Sequence, residues 1–129
     1  MRIPTILAVL ALAGIGSQAH AEDHHDTRHL LVACDAMDRL AQGTIPSVQE
    51  SAEIMVCHAY LRGTWDTMLI MNIALEQPQR VCSPPGGLQN QQGARLFVKY
   101  LRAHPEAMDL PASLVYMAAL VETYPCKRT

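Results

Sequence analysis

The chain has little from which to build a β-sheet or a large aromatic core. One Phe, one Trp and four Tyr are spread through 129 residues. Apolar–polar alternation at a period of two is essentially missing, which excludes a sandwich or barrel. Charge is sparse as well: 17% of residues are charged and the formal net charge is −2. The Lys127–Arg128 tail is the one basic cluster, so neither nucleic acid nor an anionic membrane surface is an expected partner. No Gly-rich phosphate loop follows a strand, no serine sits in a nucleophile elbow, and no Glu/His pair has metalloprotease spacing. The cysteines lack the close pairs a zinc site wants. There is no internal repeat and no low-complexity region. The chain does not read as an enzyme, and no cofactor is expected.

Residues 1–21 read as a cleavable signal peptide. Arg2 supplies the positive start, Ile6 to Ile15 the apolar run, and Ala19-His20-Ala21 the small-x-small cleavage site. The run is too short for a permanent span, and no later segment reaches spanning length without charges or prolines, so no membrane contact is expected after cleavage. Removing 1–21 leaves 108 residues, 22–129, enough for one domain with one modest core. It also removes Arg2, taking the formal charge from −2 to −3. All four cysteines lie beyond the cleavage site. An even count on an exported chain points to two disulfides, and none is left as a nucleophile.

The expected fold is all-α: a small four-helix domain stapled by two disulfides. The first helix runs from about Thr27 to Gln42, with Leu30, Leu31, Cys34, Met37 and Leu40 or Ala41 inward and Gly43 as the stop. The second opens at Ser47-Val-Gln-Glu50, a capping box. Ile54, Cys57, Leu61, Trp65, Met68 or Leu69, and Ile73 make its inward stripe, and it ends before Pro78. The third covers Gln89 to His104 and stops at Pro105, because the residue before a proline leaves the helical region. After a short polar turn the fourth runs from Pro111 to Tyr124, with proline tolerated in the first turn. Glu22 to Asp26 reads as a disordered leader. The long stretch 77–87 cannot extend either neighbouring helix, because it carries Pro84-Pro85-Gly86-Gly87.

Helix arithmetic separates the three connectivities open to four cysteines. In an antiparallel hairpin turning at Gly43 to Pro46, Cys34 and Cys57 both stand roughly 12–15 Å from the turn. Cys82 precedes the third helix and Cys126 follows the fourth, so a second hairpin brings those two together. Pairing Cys57 with Cys82 would need about 28 Å of helix to be retraced by six loop residues reaching at most about 20 Å. Cys34–Cys57 and Cys82–Cys126 are therefore expected.

Few residues suggest chemistry. Cleavage after Ala21 would expose Glu22-Asp23-His24, an amine and a third-position imidazole able to wrap Cu(II) or Ni(II) in a square plane. His24 is thus a weak metal candidate, against a plain polar leader. His58, Arg62 and Asp66 stand four apart on one helix line. His58 and Asp66 are separated by about 12 Å, too far for an acid–base pair, which leaves a solvated face or a partner-binding ridge. The six methionines after residue 21, including Met55, Met68 and Met71, are expected to fill core gaps. Gly63 costs about 1 kcal/mol in mid-helix, so close approach by another helix is its expected reason.

Three motifs in order carry a resemblance: Cys57-His-Ala-Tyr-Leu-Arg-Gly63; Val81-Cys-Ser-Pro84; and His104-Pro-Glu followed by Leu110-Pro-Ala and Tyr124-Pro-Cys126. From about Leu31 to Cys126 the chain resembles the Rap1a/Tai family, exported immunity proteins of type VI secretion systems. The resemblance suggests the same disulfide arrangement. It implies a periplasmic, helical, often homodimeric protein that binds a peptidoglycan-cleaving amidase effector and occludes its active-site cleft. The matched positions are structural, so no inhibitory residue carries over. The exposed Pro84, Pro85, Gly86 and Gly87 are the candidate partner-binding loop, since protruding segments fill concave sites. Two alternatives compete: a periplasmic acid-stress chaperone, whose five histidines would charge between about pH 7 and 5, and a metal-binding envelope protein using His24.

Overall fold

The computed structural model describes residues 26–127. The expected signal peptide and His24 lie outside the described residues. Four helices carry the chain: α1 (Thr27–Ala41), α2 (Val48–Ala74), α3 (Asn90–Ala103) and α4 (Ala112–Thr123). Their ends follow local chemistry. Asp26, expected in the disordered leader, instead caps α1: its carboxylate accepts from the Arg28 amide at 3.0 Å, satisfying an otherwise orphaned donor. Ser47 and Glu50 close the capping box of α2, with Glu50 N donating to Ser47 Oγ at 3.2 Å and Ser47 N to Glu50 Oε2 at 2.9 Å. The Ser47 amide and the Arg39 guanidinium pull the Glu50 carboxyl down to about 2. The expected polar turn after α3 is a 3-10 turn at Pro105–Asp109, begun by a proline that fits a first helical turn.

α1 and α2 form the expected hairpin, and α3 lies across α1. Between them Leu30, Cys34, Cys57, Leu61, Phe97 and Leu101 are buried. Each large apolar side chain so placed contributes roughly 1.5–3 kcal/mol against exposure. Cys34–Cys57 runs through this core, both residues 0% exposed, with Cα atoms 5.1 Å apart. At the outer edge of the hairpin Arg39 bonds Glu50 at 2.8 Å and Asp35 at 3.2 Å, and Arg102 reaches Asp35 at 2.6 Å. Asp38 is buried yet doubly bonded, to Arg95 and to Gln42, as a buried carboxylate must be.

α4 closes the other side of α3. Phe97 and Tyr116 meet edge to face with ring centroids 6.4 Å apart, and Tyr116 Oη lies 2.6 Å from where a Cβ on Gly93 would stand. Gly93 is therefore the glycine that permits close helix contact, not Gly63. A Cβ at Gly63 meets nothing within 4 Å, because it sits opposite the core-facing side of α2. The same rotation corrects other expectations. Met68 fills the core, but Met55 is 71% exposed and Met71 47%. Ile73, expected inward, is 78% exposed, because the last turn of α2 runs past the core.

The second disulfide, Cys82–Cys126, has a sequence separation of 44 and Cα atoms 4.9 Å apart. Around it Cys82 N donates to Tyr124 O at 2.9 Å and Cys126 N to Arg80 O at 3.2 Å, forming a bridge between Val81 and Pro125. Among the described residues there is no strand. Both disulfides match the pairing derived from helix heights.

Candidate functional site

The loop between α2 and α3 is held at both ends. Val81 is buried, with Cys82 tied to the C-terminal segment beside it, and Leu88 packs against the core from the other end. Between these anchors Ser83, Pro85, Gly86 and Gly87 are exposed and Pro84 is half-buried. Gly87 N donates to Pro84 O at 3.0 Å, and Gly86 and Gly87 have φ of 84° and 81°, a region side chains disfavour. The tip is thus a defined turn on a braced base.

This loop does not stand alone. It overhangs a hollow of about 250 Å³ whose opposite wall is Arg62 and Trp65 of α2. A second hollow, about 400 Å³, continues along α2 between His58, Met55 and the first residues of α3. Gln89 and Asn90 border both, so the two make one trough, walled by α2 on one side and by the loop and the start of α3 on the other. Two features treated separately in sequence meet here: Gly86 and Gly87 of the loop and the His58–Arg62 line border the trough, whereas Pro84 and Pro85 do not line it. Asp66 does not line it; its carboxylate accepts from Arg62 Nε at 2.9 Å and orients the guanidinium. His58 and Asp66 are not bonded to one another, as expected.

Trp65, Gln89 and Asn90 were not legible as lining residues. Trp65 belongs to the core stripe and is 8% exposed, yet its accessible edge forms the wall under Gly86 and Gly87. Beneath it Tyr116 borders a narrow cleft with Leu61 and Leu88. Burial holds the Tyr116 hydroxyl protonated, far above the ordinary range. The trough offers amide, guanidinium, imidazole and indole groups with no nucleophile–base pair, which suits recognition of another protein's surface. No group of three or more His, Cys, Asp or Glu residues that could hold a metal ion occurs among the described residues.

The family model described as Rap1a immunity proteins matches residues 20–126. No curated protein and no solved structure matches. The chain belongs to the Rap1a immunity protein family.

Proposed function

From that membership, we propose that the chain protects its producer against a type VI secreted peptidoglycan amidase by binding the effector in the periplasm and occluding its active-site cleft. The family match carries this reading. The braced loop and the trough support it: a protruding turn of fixed shape beside anchoring side chains suits insertion into a concave site. Two disulfides suit an oxidising compartment, and residues 1–21 would direct export. Inhibition is steric and needs no catalytic group, so the chain is a binder, not an enzyme. The homodimer that the resemblance implies would carry the trough twice.

The test is protection of cells that receive the amidase in their periplasm. The full chain should protect, and a version lacking residues 1–21 should not. Replacing Pro84-Pro85-Gly86-Gly87 with bulky charged residues, or Arg62→Glu, should weaken effector binding while helicity and melting temperature stay nearly unchanged, since both sites lie outside the core. Full protection by both variants would exclude the trough. Failure of the parent chain to bind any amidase, together with suppression of client aggregation in acid, would transfer the assignment to the chaperone reading.

A further inference from the structure

Methionine ordinarily fills irregular gaps in a core. Three of the six methionines after residue 21 instead share one hollow: Met68, Met71 and Met117 border a groove of about 750 Å³ between α2 and α4. Met68 is 9% exposed and reaches the groove from the core, Met117 is half-buried, and Met71 is 47% exposed. Gap filling accounts for Met68. It does not account for Met71, which gives nearly half of its surface to water.

Their spacing suits a common ligand. Met68 and Met71 stand three apart on one helix, which puts their Cβ atoms about 5–6 Å from one another on one face. Each side chain has three rotatable bonds and carries a polarisable sulfur, so the two thioethers can swing onto one ion. Met117 supplies a third from α4. The rest of the wall decides which ion. Among the described residues bordering the groove none is Asp, Glu, His or Cys, and all four cysteines are closed in disulfides. The side-chain oxygens there belong to neutral groups such as Thr64, Thr67 and Asn72, so nothing balances the charge of a hard divalent ion. Thioether sulfur selects soft metals, and Cu(I) above all.

We propose that this groove binds Cu(I), and Ag(I) in the same way, through the thioether sulfurs of Met68, Met71 and Met117. One consequence separates it from a histidine site such as the His24 terminus. A thioether carries no proton at ordinary pH, so binding persists in acid, where imidazoles become charged and cease to be ligands. The groove shares no lining residue with the trough of Met55, His58 and Arg62, so the site does not depend on the effector reading.

Silver nitrate is the probe, because Ag(I) needs no reductant and the disulfides stay closed. The oxidised chain beginning at Glu22, carrying carbon-13 in its methionine methyl groups, is titrated in chloride-free buffer at about pH 5, where free imidazoles are mostly charged. The methyl signals of Met68, Met71 and Met117 should shift together and stop at one equivalent, while those of Met37, Met55 and Met108 stay in place. Met71→Leu and Met117→Leu, which conserve volume, should each weaken binding by about tenfold or more, and Met55→Leu should leave it unchanged. A parent whose methyl signals do not move overturns the site, and this readout needs no variant to fold. Equal shifts at exposed Met55 would mean silver scattered over any open thioether, which also overturns it. Leucine variants that titrate like the parent overturn the three-methionine set. The same shifts produced by zinc sulfate would overturn the soft-metal assignment.

Discussion

Cys34–Cys57 and Cys82–Cys126 both close long loops, with sequence separations of 23 and 44, but they sit in opposite surroundings. The first lies in the core with both cysteines at 0% exposure. The second lies at the surface, where it gathers the loop before α3, the segment after α4 and the Val81–Pro125 bridge. Chain entropy alone gives each roughly 3–4 kcal/mol and ranks the longer loop slightly ahead. Packing reverses the order, because removing the buried pair also opens a cavity in the core cluster to which both cysteines belong. The buried disulfide is part of the core, whereas the exposed one anchors the loop between α2 and α3.

The sharpest way to break the comparison is to remove each disulfide in turn. Cys34→Ala with Cys57→Ala should cost about 4–6 kcal/mol, entropy and cavity together, which is comparable to the whole stability of a small domain. Urea unfolding should show little cooperative structure left, and a melt within a few degrees of the parent would refute the ranking. Cys82→Ala with Cys126→Ala should cost about 2–4 kcal/mol and leave the helices formed. Hydrogen exchange should rise at residues 81–88 and effector binding should fall further than stability does. Unchanged exchange there would mean that the Val81–Pro125 bridge holds the loop unaided.

Two helical glycines refine the contrast between packed and open faces. Gly93→Ala pushes a methyl against the Tyr116 hydroxyl and should destabilise by about 1–3 kcal/mol. Gly63→Ala meets open space and should stabilise the chain by up to about 1 kcal/mol. Thermal melts read both effects, and a Gly63→Ala melt as depressed as that of Gly93→Ala would refute the contrast. The smallest effect is acid sensitivity of the hairpin. Glu50 has its carboxyl lowered from 4.5 to about 2 by the Ser47 amide first and Arg39 next. A lowered folded value stabilises above the unfolded pKa and is lost as pH falls through the folded one. Stability should therefore decline from about pH 4.5 toward 2, and Glu50→Gln should flatten that slope. An identical slope in the variant would place the acid-sensitive group elsewhere.

Helix ends were legible because they are local. Ser47 and Glu50, Pro105 and Pro111 act on amides within one turn of themselves, and the observed bounds fall within a few residues of those expected. Disulfide pairing was legible because rise per residue converts sequence distance into height. The outward face of α2 was not. Met55, Gly63, Met71 and Ile73 carry the composition of buried residues, and only the position of α1, α3 and α4 tells which side of α2 is inside. Half of the candidate site was legible: the loop by its Pro-Pro-Gly-Gly, and the ridge by the spacing of His58 and Arg62. Their meeting was not, since 22 residues separate Arg62 from Pro84 and no local rule spans that gap.

The sequence by itself determined four helices, their caps and stops, and which cysteines bond, because each depends on interactions within a turn or on the fixed rise of a helix. Only the tertiary structure decided which glycine permits close packing, which disulfide is buried, and that the loop overhangs Arg62 and Trp65. Those outcomes depend on how the helices are rotated about their own axes, and rotation is set by the summed burial of all four at once.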